Sequence, residues 1–594
     1  MTPDIPAHRS DHPHRSEEDQ RAFFDEVLAQ AKAAEAQAGA IERDIMLLGR
    51  RIRLVFAGRT LEPLLFPALS HRQVPVEGTA DLVLHLWDSD SSGVAMPAAP
   101  VTRHCFSDRG DIWTFHSARV RSAFQFSEYS VSLLDLGCGE GIYWLRGATG
   151  LPYWTQASPL RTLLHWWTES LGAQLVHAAA VGTRDGGVLI TGRGGVGKST
   201  TALACLAAGF DYAGDDYVLL TAGDEVHAHS IYRTAKLNPD NAARFAAFGP
   251  RMLGSPGADG SEKAVVFLEG GLVESIPLRA VVTPRFGDGA ETFIEPIESA
   301  QLVGAASFTT MAQLPHAGQR TADFIEAQIA RLPGGRLVLG SDAGQLVETI
   351  RTLIATPTDV VSARPASTAP TPLISVVVPV HNGAHFVADA VGSILAQGHP
   401  KVEIILVDDG STDAIEEAVA ALPVEVRFLR KAKTGAAAAR NTGLRATMGE
   451  LITFLDVDDL WPPGKFSAAL AWLEDNPECD VVIGNAQLLQ LNDAGGYDYV
   501  GSPNEGFFHY LGGGLWRRRA FERIGDFDPL LKFAEDVDWF VRAEQNGLRV
   551  DRLEMVALHV RRHDTNATRG LDGRELNPLK LVRNALEAKR ALGQ

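Results

Sequence analysis

The stretch that most constrains this chain is GVLITGRGGVGKST at residues 187–200. Its first five residues are apolar or small, the pattern of a buried strand, and the TALACLAAGF that follows reads as a helix. Between them, Gly192, four residues, then Gly197-Lys198-Ser199 complete a Walker A pattern. Glycines, here Gly192, Gly194, Gly195 and Gly197, let backbone N–H groups wrap a phosphate, and the helix N-terminus adds its positive dipole end. Lys198 is placed to reach β- and γ-phosphates and Ser199 to hold Mg²⁺, with Thr200 next in line. The expected cofactors are ATP and Mg²⁺. Consecutive strand, loop and helix imply an α/β unit.

A second strand is expected at DYAGDDYVLL, carrying Asp215 and Asp216, 17 and 18 residues after Lys198. Carboxylates beside a phosphate site hold Mg²⁺ or act as general base. His177 opens HAAAV, which is expected to pair with GGVLITG as a hairpin. His177-AAAV, GVLITGRGGVGKS and AGDD, in this order and spacing, resemble the catalytic core of bacterial HPr kinase/phosphorylase. The resemblance implies Asp216 as base toward an acceptor serine, with Asp215 and His177 assisting. It is close over residues 177–220, and the flanks SPLRTLLHWW and IPLRAVV resemble the broader HPr-kinase-related group. Thr200 replaces the family's usual Glu, and a counterpart of the segment serving phosphorylase activity is missing. The implied activity is an ATP-dependent serine kinase or ATPase with an unknown phosphoacceptor. The alternative is an ATP-binding unit that regulates without transferring phosphate.

LLDLGCGEG at residues 133–141 imitates the glycine-rich first motif of S-adenosylmethionine methyltransferases. That motif should open a helix and lead to an acidic residue about 20 positions on. Instead Ile142-Tyr143-Trp144-Leu145 follows, which prefers strand, and the next acidic residue after Glu140 is Glu169. A hairpin with a glycine-rich turn is expected here.

Five further features follow in order. LISVVVPVHNGAHFVADAVGSILAQ reads as a strand ending at Pro379, then a helix. EIILVDDGSTD is a strand ending at Asp408-Asp409. TGAAAARNTGLRATMGE is a helix carrying Arg440 and Asn441. LITFLDVDD is a strand ending at Asp456-x-Asp458-Asp459. GDFDPLLKFAEDVDWFVRA carries Glu535-Asp536. Alternating strand and helix implies a parallel sheet, whose ligands gather at the carboxyl ends of the strands. A diphosphate leaving group is strongly anionic, so carboxylates serve it through a divalent cation, for which D-x-D supplies oxygen ligands. Sugar transfer with inversion needs one base to deprotonate the acceptor hydroxyl.

This set resembles the family 2 glycosyltransferases of the GT-A fold over nearly all of residues 373–570. The resemblance implies a nucleoside diphosphate sugar donor with Mg²⁺ or Mn²⁺. Asp408 and Asp409 would bind the nucleotide, with Pro379 and Glu535 also at the donor site. Asp456 and Asp458, with Asp459, would hold metal and diphosphate, and Asp536 would be the catalytic base. Arg440 is read as a phosphate contact or a packing residue. VALHVRRHDTNAT resembles the family's R-x-H stretch, which puts Arg561 and His563 near the diphosphate or metal. The acceptor, a glycan, lipid or peptide, is unknown, and its specificity is expected to lie in residues 487–510.

At 594 residues the chain is too long for one hydrophobic core. The proline-rich TPTDVVSARPASTAPTP at residues 356–372 reads as a linker. The expected organisation is a disordered tail and N-terminal helix over 1–45, an HPr-kinase-like α/β domain over 46–355, the linker, and a GT-A α/β domain over 373–594. The Ala- and Glu-rich run from Glu17 to about Leu48 suggests one helix or two, and LKLVRNALEAKRAL near the end an amphipathic helix. Basic against acidic residues number 31 to 41 in residues 1–370 and 24 to 32 in residues 371–594. Acidity this diffuse excludes nucleic acid as the main partner. Four scattered cysteines suit a reducing compartment. No apolar run approaches the roughly 18 residues of a membrane span, and the N-terminus lacks a secretion signal's apolar core. A cytoplasmic protein is expected.

Overall fold

The computed structural model describes residues 14–102, 105–253, 263–287, 289–358, 371–491, 496–503, 510–531 and 534–563. Most of the expected linker, the polar start and the C-terminal amphipathic helix lie outside them. The chain divides into two compact units, residues 8–364 and residues 365–594. No helix among the described residues is long and apolar enough to cross a membrane.

The first unit opens with the helix Glu17–Ala38, whose start is fixed by a reciprocal Ser16–Asp19 capping box. It buries Phe24, Val27, Leu28, Ala31 and Ala34. The helix read to about Leu48 ends earlier, at Gly39 with φ 83°. Ala40–Leu47 is instead a strand, with Ile45 and Leu47 buried. Tertiary pairing decides this: Asp44 is fully buried and holds Arg51 and Arg53 of the neighbouring strand Arg50–Ala57. These strands belong to a seven-stranded sheet that also contains the antiparallel hairpin Ser130–Asp135 and Glu140–Leu145. The methyltransferase-like glycines are therefore the hairpin's turn.

A nine-stranded mixed sheet carries the phosphate loop. The strand Gly186–Thr191 pairs antiparallel with Ala178–Thr183 and parallel with Ser275–Phe286, which runs parallel to Gly334–Leu339. Alternation sends Val188 and Ile190 to one face, against the helices Lys198–Ala207 and Ala343–Ala355. Leu189 points to the other face, against Ser299–Gln313 and Gln319–Ile329. DYAGDDYVLL is not one strand. Asp211–Gly214 pairs with Ala178–Thr183, whereas Val218–Thr221 pairs with Ala173–Val176. The break falls at Asp216, whose φ of 69° turns the chain between them.

The second unit is an eight-stranded sheet. Arg427–Lys431, Val402–Asp409, Ile374–Val380 and Leu451–Phe454 form a parallel block in that spatial order. Gly514–Arg517 then joins antiparallel. Val376 and Val378 pack on one face of the sheet and Val377 on the other, so the continuous apolar run is a strand covered on both sides. Pro379 is buried within its strand rather than at its end. The neighbouring strand Leu451–Phe454 pairs only as far as Val377, so the N–H that proline lacks is not needed on that side.

Candidate active sites

In the first unit, glycine geometry shapes the loop. Gly192, Gly195 and Gly197 have φ of 128°, 85° and 107°, where a side chain is strained. A Cβ at Gly197 would come within 2.6 Å of Leu339, whereas Gly194 and Gly195 face open space. Lys198 is buried, and its Nζ donates to the carbonyls of Gly192 (2.6 Å) and Arg193 (2.9 Å), which pins the loop across its own mouth. Ser199 and Thr200 lie in the first turn of the helix Lys198–Ala207. This cradle, with an ammonium at its mouth and a helix N-terminus behind, fits a nucleotide phosphate.

The acids converge on it. Asp215 is hydrogen-bonded by Ser199, and burial and the neighbouring Asp216 push its carboxyl up. Asp216 behaves oppositely. Burial disfavours its charge, but Lys236 and His177 outweigh burial and hold its carboxyl well below the usual range. Lys236 Nζ lies 2.6 Å from Asp216 Oδ2, and Lys236 N–H donates to Asp215 Oδ2 at 3.1 Å. One lysine on the strand Thr234–Leu237 thus holds both aspartates. His177 Nε2 lies 3.4 Å from Asp216 Oδ1; burial and Lys198 lower its pKa to about 4, so it is neutral at pH 7. Ser158 Oγ donates to Asp216 Oδ2 at 3.0 Å. Lys236 and Ser158 escaped the sequence reading because neither belongs to a motif. The one available signal was the SPLRTLLHWW flank, which contains Ser158.

In the second unit the expected residues separate by role. Asp408 is fully buried, accepts Ser411 N–H and pairs with Arg430 at 3.2 Å. Asp409 accepts from Lys431 Nζ and from the N–H groups of Thr434 and Gly435, at 2.8, 2.9 and 2.8 Å. Its carboxylate clamps the loop entering the helix Ala436–Ala446. Arg440, expected as a phosphate contact or a packing residue, is buried between two acids. It bridges Asp456 (2.6 Å) and Glu535 through charged hydrogen bonds, and these acids raise its pKa despite burial. Asn441 holds the backbone of Phe527 from both sides of its amide.

Asp458 pairs with His563 Nε2 at 3.1 Å, and burial and the charge of Asp456 raise its pKa. Asp459, expected beside the metal, has its carboxyl pushed well up by burial and by the charges of Asp458 and Asp456. It is buried and accepts Arg561 N–H at 3.2 Å. Arg561 is also committed, to Asp389 (2.7 Å) and the Asp458 carbonyl (2.5 Å), with its guanidinium over Phe386. Among the described residues no three His, Cys, Asp or Glu side chains gather as a metal site. The Asp456–Asp458 pair nevertheless suits a divalent cation: both are oxygen donors, and their mutual repulsion is what a cation relieves. Asp536 opens the helix Glu535–Gln545, and burial, then the charge of Glu535, push its carboxyl up to about 6.

Comparison with known proteins bears on the second unit. Residues 375–525 match the model of glycosyl transferase family 2. An uncharacterised glycosyltransferase of Rickettsia felis is 35% identical over 137 residues, covering 23% of this chain and 22% of its own length. GlyG of Streptococcus pneumoniae is 39% identical over 132 residues, 22% of this chain and 44% of GlyG. The chain thus spans about a fifth of the first of these relatives and under half of the second. Among solved structures, residues 1–349 of S. aureus TarS in complex with UDP-GlcNAc are 20% identical with TM-score 0.30, over 36% of this chain and 65% of that fragment. A Pyrobaculum calidifontis mannosyltransferase in complex with GDP-Man and Mn²⁺ is 20% identical with TM-score 0.26, over 39% and 80% of the two chains. The C-terminal region of this chain is a family 2 glycosyltransferase domain.

Proposed function

We propose that the second unit transfers a sugar, with inversion, from a nucleoside diphosphate sugar to a glycan, lipid or peptide acceptor. The observation that carries this reading is Asp536: a carboxylate with pKa about 6, beside the Arg440-bridged Glu535 and Asp456. A base poised near neutral pH takes the acceptor proton efficiently. Asp456 and Asp458 would hold Mg²⁺ or Mn²⁺, which when bound supplies positive charge to the leaving diphosphate. Arg440 orients Asp456, and His563 orients Asp458. Asp408 fixes the strand end where the nucleotide would lie. Asp536→Asn is expected to reduce transfer by about 10³-fold while leaving donor affinity unchanged. Donor turnover by nucleotide release, measured with metal present, tests this; wild-type turnover in the variant would refute the assignment.

We further propose that the first unit is an ATP-dependent kinase or ATPase. Gly192–Ser199 would seat the phosphates, Lys198 would release its loop carbonyls to meet them, and Asp216 would accept a proton from an acceptor hydroxyl. The ionised Asp216 beside a phosphate cradle supports this. A second reading is favoured by Lys198 being folded onto its own loop: the unit binds ATP and gates the transferase. Label from γ-labelled ATP that appears on an acceptor and is lost in Asp216→Asn supports transfer. Binding of ATP with no label transferred supports gating.

A further inference from the structure

Asp216 already has a hydroxyl on it. Ser158 Oγ, 58 residues upstream, donates to Asp216 Oδ2 at 3.0 Å, the geometry of a nucleophile against its general base. Ser158 ends the turn after the helix Tyr153–Ala157 and is 1% exposed. Resting on the reading of this unit as an ATP site, we propose that Ser158 is its acceptor: the chain phosphorylates its own serine, in cis.

Three observations converge. First, the acids link the phosphate cradle to Ser158. Ser199 of the loop bonds Asp215, Asp215 and Asp216 are adjacent, and Lys198 is near enough to His177 to lower its pKa. Second, Asp216 is fixed in place for that hydroxyl: Lys236 Nζ lies 2.6 Å from its Oδ2 and His177 Nε2 lies 3.4 Å from its Oδ1. Third, a phosphate on Ser158 would meet cations. Lys236 Nζ sits on the same Asp216 oxygen. Arg161, three residues on, feels the charge of Asp216, and its Nε is shut from solvent with no hydrogen-bond partner. Phosphoserine beside buried cations gains charge-assisted hydrogen bonds.

The step balances. Ser158 Oγ bonds to the γ-phosphorus of ATP, the bond from that phosphorus to the β,γ-bridging oxygen breaks, and its electron pair leaves with ADP. The serine proton goes to Asp216. Burial of Ser158 then becomes a prediction. A second molecule cannot present its own nucleotide to a hydroxyl 1% exposed, so only a nucleotide on the same chain reaches it. The product places a dianion against Asp216, which would close the site to any other acceptor.

The test uses the full chain with γ-labelled ATP and Mg²⁺, intact-mass measurement and phosphopeptide mapping, with ATP binding measured separately by calorimetry. The expected result is one phosphate per chain on the peptide containing Ser158, as purified or after incubation. Its rate constant should not change on serial dilution of the protein. Ser158→Ala should abolish it and Ser158→Thr should move the label to threonine, with melting temperature confirming that both variants fold. Bound ATP with Ser158 unmodified would overturn this inference and leave the ATP-site reading standing. A wild type that binds no ATP would overturn both. Labelling that rises with protein concentration would overturn the cis assignment.

Discussion

Both units set two acidic residues side by side, and the surroundings drive the two pairs to opposite states. In Asp215-Asp216, a lysine from a neighbouring strand sits on the second aspartate and keeps it charged, leaving Asp215 to take the rise. In Glu535-Asp536, the cation goes to the first member. Arg440 bonds Glu535, and Asp536 is left with burial and a neighbouring charge that push it up. Identical carboxyl chemistry gives a strongly ionised carboxylate in one pair and one tuned near neutrality in the other. What separates them is which carboxylate the buried cation touches.

The sharpest way to break this contrast is to remove the lysine. Lys236→Met keeps most of the volume but leaves Asp216 buried beside Asp215 without its cation. Breaking one side of such a pair costs about 3–5 kcal/mol. Calorimetry should show the melting transition of the first unit fall and that of the second stay; no shift would mean that the Lys236–Asp216 contact contributes nothing.

The pH dependence is the next largest effect. With Asp536 as the proposed base, the rate of sugar transfer should fall about tenfold per pH unit below about pH 6. Asp216 stays ionised throughout that range, so phosphoryl transfer should be flat there. Stability moves the other way in each site. The raised pKa of Asp536 contributes stability that is present below its unfolded value and lost as pH rises through 6. The lowered pKa of Asp216 contributes stability that is present above the ordinary carboxylate value and lost as pH falls below it. Parallel pH–rate profiles at the two sites would refute the contrast.

A smaller change is expected from Arg440→Lys. A single ammonium cannot serve Asp456 and Glu535 as a guanidinium fork does. Losing one charged hydrogen bond costs about 1.5–3 kcal/mol, and transfer should drop roughly tenfold or more. Smallest is Asp409→Asn, which weakens the clamp on residues 431–435. Urea unfolding should show about 1 kcal/mol lost, with donor KM unchanged. A raised KM at unchanged stability would put Asp409 on the nucleotide instead.

Local order was legible where the physics is local. The strand–loop–helix at residues 186–207 follows from apolar residues, then glycines, then a helix-forming run, and needs no distant partner. The apolar strand Ile374–Val380 is equally plain, because burial on both faces demands such a run. Legibility failed where distant pairing overrides composition. Ala40–Leu47 lies in an Ala- and Glu-rich stretch yet is a strand, because it pairs with a strand on each side and its Asp44 finds two arginines. DYAGDDYVLL looks continuous, but Asp216 turns left-handed and its halves join different strands.

The sites divide in the same way. By itself the sequence singled out the candidates for chemistry: the phosphate loop, and the acids Asp215, Asp216, Asp408, Asp456, Asp458 and Asp536 at or near element ends. Tertiary structure alone decided their partners. Lys236 reaches Asp216, Ser158 reaches it from 58 residues away, and Arg440 bridges Asp456 and Glu535. Asp409 and Asp459 turned to holding backbone. The physical reason is that a carboxyl's protonation depends on burial and on charges a few ångströms away, and those neighbours are set by how strands and helices pack, not by spacing along the chain.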